Sequence, residues 1–121
     1  MKEKVSMDVL ILDSTEKEFG KHAYSQLAEF QLEAEVSETE FVDIPGKMSR
    51  SSAEAFIVIC DTSEDYMEPV IGKILDLEVE KGIVQKVFLD SSGESQEVFE
   101  RRGKRESGEA AEKLAEKVKS Q

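Results

Sequence analysis

The sequence predicts an α/β fold: a three-layer α/β/α sandwich around a mostly parallel sheet of about five strands. Three observations predict it. Val9-Leu10-Ile11-Leu12 and Ala55-Phe56-Ile57-Val58-Ile59-Cys60 are continuous apolar runs with β-branched members, the pattern of strands covered on both faces. Segments of helical periodicity follow both runs. Three strand candidates end in Asp followed by Ser or Thr, at Asp13-Ser14, Asp61-Thr62 and Asp90-Ser91.

Along the chain, the first strand is followed by Thr15 and Glu18 at capping-box spacing. Phe19, Ala23, Leu27 and Phe30 then form one apolar stripe of a helix. Ala34 and Val36, alternating with acids, and in extension Phe41-Val42, predict a weaker strand with one wet face, at a sheet edge. Pro45-Gly46 reads as a turn, and residues 47–54 as a short helix. After the central strand, Met67, Val70, Ile71, Ile74 and Leu75 fall at i, i+3, i+4, i+7 and i+8. They predict a helix with Pro69 near its first turn and Gly82 at its stop. Val84, Val87, Phe88 and Leu89 make the next strand. Residues 96–101, with Val98 and Phe99, read as one more strand, joined through Ser92-Gly93 either as an antiparallel hairpin or as a parallel addition. A last helix is expected from near Ser107, presenting Ala111, Leu114, Ala115 and Val118. The expected order is β-α-β-(α)-β-α-β-β-α.

The 121 residues fit one domain, spanning 1–121. Hydrophobic residues are 39% and charged residues 36%, enough apolar content for a core. The net charge of −11 repels phosphate backbones and anionic lipid, so nonspecific nucleic-acid or membrane binding is disfavoured. The exception is a basic patch, Arg101, Arg102, Lys104 and Arg105. Cys60 is the one cysteine, so no internal disulfide forms, in keeping with a cytoplasmic protein. Residues 1–7 have no long apolar core, and no run is long enough to span a bilayer, so neither signal peptide nor anchor is expected.

In a parallel α/β sheet, ligands bind beyond the carboxyl ends of the strands. Asp13, Ser14, Asp61, Thr62, Asp90 and Ser91 therefore form the candidate ligand or metal rim, whose oxygens suit Mg²⁺. The same residues are also standard helix caps and turn formers. His22 stands alone, and Cys60 beside Asp61 lacks a neighbouring positive charge, so no nucleophilic catalytic set is present. No other cofactor is expected, and the leading expectation is a non-enzymatic module acting on a protein partner.

Three resemblances bear on this. Asp13, Asp61 at the end of Phe56-Ile57-Val58-Ile59-Cys60-Asp61, Ser91 and Lys104 resemble, in order, the four site positions of response-regulator receiver domains. That resemblance implies Mg²⁺-assisted phosphoryl transfer onto Asp61, with Ser91 and Lys104 contacting the phosphoryl oxygens. Val98-Phe99-Glu100-Arg101-Arg102-Gly103-Lys104 with Glu112-Lys113-Leu114, and loosely Gly46-Lys47 and Arg50, are similar to the anticodon-binding domain of threonyl-tRNA synthetases. They imply a mixed sheet and an adaptor with a tRNA-related partner. Asp13-Ser14-Thr15 follows the first strand where flavodoxins carry a phosphate loop, implying an FMN or small phosphate site. Glu16, Lys17 and Glu18 replace that loop's glycine and further threonines, and two acids are poor company for a phosphate.

Overall fold

A computed structural model describes residues 8–63 and 67–120. The N-terminal segment 1–7 and Tyr66, the first aromatic residue after the central strand, lie outside the described residues.

The elements run β1 (Val9–Asp13), α1 (Phe19–Glu29), β2 (Ala34–Glu38), a 3-10 turn (Phe41–Asp43), α2 (Ile44–Arg50), β3 (Ala55–Asp61), α3 (Met67–Lys81), β4 (Ile83–Leu89) and α4 (Gln96–Lys119). The four described strands lie in the order β2-β1-β3-β4 and all pair in parallel. Ile11 sits opposite Val36 on one side and Ile57 on the other, and Ile57 opposite Gln85. The chain builds outward from β1 to β2, then crosses to β3 on the far side, so the direction of winding reverses between β1 and β3.

Alternation along the strands sends successive side chains into two cores. Val9, Ile11, Ala55, Ile57, Ile59, Val87 and Leu89 pack under α1 and α4. Leu12, Phe56, Val58, Cys60 and Val84 pack under α2 and α3. The helices thus cover both faces, giving the predicted three layers. β3, buried at every position from Ala55 to Cys60, is the central strand. β2 is an edge, with exposed Glu35 and Glu38, as its alternation predicts.

The main departure is the segment 96–101, which is the first part of α4 rather than a strand. No hairpin forms among the described residues. Ser95 supplies the reason, since its hydroxyl accepts from the Val98 amide at 3.2 Å and caps a helix there. The buried stripe of α4 is Phe99, Gly103, Ser107, Ala110, Ala111, Leu114, Ala115 and Val118. Two of its members are not apolar, which hides the helical period in the first turns. Gly103 is required by close approach: a Cβ there would stand 2.2 Å from Cε2 and Cζ of Phe19 on α1. Phe19 in turn packs on Phe99 with ring centroids 5.7 Å apart. Ser92-Gly93 does turn, with Gly93 at φ +78°, but it leads into α4.

Three smaller expectations also change. Phe41 and Val42 extend no strand: β2 ends at Glu38, and they lie in the 3-10 turn, with Phe41 buried. Pro45 and Gly46 lie in the first turn of α2, where proline's missing N–H is one no helix bond needs. Thr15 and Glu18 form no capping box: Glu18 precedes α1 at φ 60° with no side-chain cap bond. Gly82, at φ +91°, follows α3 and donates to Glu78 O at 2.9 Å, the predicted stop.

Candidate functional site

The carboxyl ends of β1, β3 and β4 share one local design. In each triplet, the Asp Oδ1 accepts from both the amide and the hydroxyl of the residue two positions on. Thr15 donates to Asp13 at 2.8 and 2.6 Å, Ser63 to Asp61 at 2.9 and 2.7 Å, and Ser92 to Asp90 at 2.9 and 2.5 Å. These are Asx turns reinforced by a hydroxyl. The middle residue of the first two triplets reaches the next strand instead. The Ser14 amide donates to Ile59 O at 3.0 Å, and the Thr62 amide and hydroxyl donate to Leu89 O at 2.5 and 2.8 Å. At the third, the Ser91 amide donates to Asp61 Oδ1 at 3.2 Å. The first two triplets therefore lengthen the parallel ladder by one residue, and all three fold the chain away from it.

The three acids have different surroundings. Asp13 is 1% exposed, and its second oxygen accepts from the Gly20 amide at 2.8 Å. That bond satisfies a donor of the first turn of α1, which Glu18 leaves uncapped. Asp61 is half-buried and gathers Ser63 and Ser91, whose hydroxyls lie 3.1 Å apart. Burial pushes the Asp61 carboxyl up, but the hydrogen bonds from Ser91 and Ser63 outweigh it and hold it below its ordinary value. Asp90 is exposed. Its bonds from the Ser92 hydroxyl and amide lower its pKa against the opposing field of Asp61.

Asp13, Ser14 and Asp61 line one cavity of about 370 Å³ at the carboxyl ends of β1 and β2, together with Thr15, Glu16, Glu38, Glu40 and Phe41. Asp90 and Ser91 stand outside it, over β4, so the predicted rim divides in two. No group of three or more His, Cys, Asp or Glu side chains among the described residues is placed to hold a metal ion. The lining acids Glu16, Glu38 and Glu40 are exposed, and no Lys or Arg is among the lining residues. Glu16 and Glu40 follow strand ends and Glu38 closes β2, and none of them forms a motif. In sequence, only their position one to three residues past an expected strand end marks them.

The remaining predicted residues are dispersed. Lys104 is exposed on α4, within a helix rather than at the end of a fifth strand, so it does not occupy the receiver-like position. The basic patch is largely neutralised by its own helix and the loop before it. Arg101 pairs with Glu97 at 3.1 Å, Arg102 with Glu94 at 2.9 Å and Glu106 at 3.4 Å, and Arg105 with Glu106 at 3.9 Å. Arg102 also donates to Asp90 O at 3.1 Å, tying α4 to the end of β4. His22 is exposed, and Cys60 is buried in the α2/α3 core. No helix is long and apolar enough to cross a membrane among the described residues.

No protein-family model matches the chain, and no curated protein matches it. Among solved structures, it is similar to a diflavin flavoprotein A3 from Nostoc sp., at 6% identity and a TM-score of 0.41, over 99% of this chain and 100% of that one. Nothing in the fold or in these comparisons supports the anticodon-binding resemblance, whose mixed sheet is replaced by an all-parallel one. The chain's own strand order, β2-β1-β3-β4 with helices on both faces, is the flavodoxin-like doubly wound order, with no fifth strand among the described residues.

Proposed function

We propose that this chain is a non-catalytic, flavodoxin-like interaction module whose acid-lined cleft receives the basic side chains of a protein partner. The observation that carries the reading is the lining of the cleft between the β1 and β2 ends: five acids, Asp13, Glu16, Glu38, Glu40 and Asp61, with no lysine or arginine among the lining residues. Parallel α/β sheets place ligands beyond the carboxyl ends of their strands, where this cleft lies. An anionic ligand is repelled there. The Gly20 amide, which a phosphate at the start of α1 would need, is already held by Asp13. Exposed carboxylates on both loops favour cationic side chains and raise the rate of encounter with them.

The test is an amide-shift titration with a lysine- and arginine-rich peptide at low and high salt. Shifts are expected at residues 13–16 and 38–41. Replacing Glu16, Glu38 and Glu40 together by Gln is expected to weaken binding about tenfold. The same change at Glu109, Glu112 and Glu116 on α4 leaves it unchanged. Equal losses in both triple variants would reduce the interaction to net charge and remove the cleft from it.

A second reading rests on a separate observation, the meeting of Asp61, Ser63 and Ser91 at the β3 and β4 ends. It makes this pair of ends a receiver-like Mg²⁺ and phosphoryl site. Mg²⁺ with beryllofluoride would then shift the amides of Asp61 and Ser91, and that result would replace the first reading.

A further inference from the structure

We propose that the outer edge of β4 is the pairing surface of a twofold homodimer, in which β4 of one copy adds antiparallel to β4 of a second. The two edges of the sheet are unlike. β2 is five residues long and carries Glu35 and Glu38, with Glu33 just before it. Charges of one sign along so short a strand make it a poor template for its own copy. β4 is seven residues long and contains no proline. It pairs with β3 in unbroken register from Ala55↔Ile83 to Asp61↔Leu89, without a bulge. Its one charged side chain, Lys86, is tied to Glu78 of α3. No described strand covers its outer side. A regular, weakly charged edge of this length offers a row of backbone donors and acceptors to another strand.

The flank of this edge says which strand. A groove of about 480 Å³ beside β4 is lined by Gln85, by Lys113, Glu116 and Lys117 of α4, and by Ser120 just past its end. Those α4 residues alternate in sign along one side of the helix. A twofold axis beside Gln85 runs the two α4 helices antiparallel, so that Lys113 and Lys117 of one copy face Glu116 of the other. It also sets Gln85 against its own copy, a neutral pair at the centre. On a chain of net charge −11, this is a surface whose charges complement themselves. The pairing also closes: it uses both β4 edges and leaves two acidic β2 edges at the ends of the joined sheet, which repel further copies.

Mass measured by sedimentation equilibrium from about 10 μM to about 1 mM tests this, a range that brackets a modest edge-to-edge affinity. The expected mass climbs from 13.6 kDa toward twice that value. Gln85→Lys places like charges opposite one another at the axis and should raise the dimer dissociation constant at least about tenfold. Lys113→Glu with Lys117→Glu should do the same through the helix flank, whereas Glu35→Lys on β2 should leave the mass unchanged. Circular dichroism of each variant confirms that it is folded. A monomer across the whole range, a dimer indifferent to Gln85→Lys in its folded form, or growth beyond the dimer would each overturn the proposal.

Discussion

The two faces of the sheet are covered by two helices each, yet they are built differently. Under α1 and α4, contact is at zero clearance: Phe19 and Leu27 are fully buried, and the Phe19 ring occupies the place a Gly103 Cβ would take. Small residues, Gly103, Ser107, Ala110 and Ala111, let α4 lie close along α1. On the other face, α2 has only seven residues, and α3 leaves Leu75 43% and Val79 88% exposed. That face depends on a few large side chains, Phe56, Ile44, Met48 and Ile74, seated on the sheet. One face is fixed by how near two helices can come, the other by what fills the space beneath them. Tolerance to change should divide accordingly.

The largest effect expected is from Gly103→Ala. A methyl group 2.2 Å from a fully buried ring cannot be accommodated without moving α4, so destabilisation of about 3 kcal/mol is expected in denaturant unfolding. A variant as stable as the wild type would show that α4 slides freely on α1. Asp13→Ala comes next, at about 2 kcal/mol, because the Gly20 amide and the Thr15 amide and hydroxyl lose their acceptor in a buried place. Gly72→Ala inverts the first experiment on the looser face. Nothing lies within 4 Å of a Cβ there, so the better helix former should stabilise by roughly 0.5–1 kcal/mol. A loss instead would mean that helix propensity on the exposed side of α3 does not limit stability.

The smallest effect concerns pH. The Asp61 and Asp90 carboxyls are held below their ordinary value of 3.8 in the folded chain. Their ionised forms therefore stabilise the fold at pH above that value, and the contribution is lost as pH falls through the lower folded-state values. The stability gap between the wild type and Asp61→Asn should narrow as pH is taken below 3.8. A gap independent of pH would mean that Ser63 and Ser91 do not favour the charged carboxylate.

The contrast between faces also explains what was legible in the sequence. β1 and β3 are readable because burial on both sides forces an unbroken apolar run, and the first two-thirds of the topology follows from them. α4 was not readable from residue 96, because close packing there selects glycine and serine, which carry no hydrophobic signal. Val98 and Phe99 without their partners Gly103 and Ser107 look like a strand. At the site, the Asp of each triplet is visible in the sequence, but the residue that closes each turn is the third and not the second. Thr15, Ser63 and Ser92 close the turns, and the signal was the hydroxyl at that position in all three triplets. The cleft acids Glu16, Glu38 and Glu40 come together only through parallel pairing of β1 with β2, a long-range fact that local sequence does not encode.

The Phe19–Phe99 contact has a consequence for how the chain is made. These rings are separated by most of the sequence, so a chain emerging from the ribosome can form β1, α1 and β3 long before anything exists to cover Phe19. Until α4 is synthesised, the part of that face it covers waits, open to chaperones or to sticking. The long delay between making α1 and completing its core should also slow folding relative to helical proteins of this size, since a non-local closure must precede the gain.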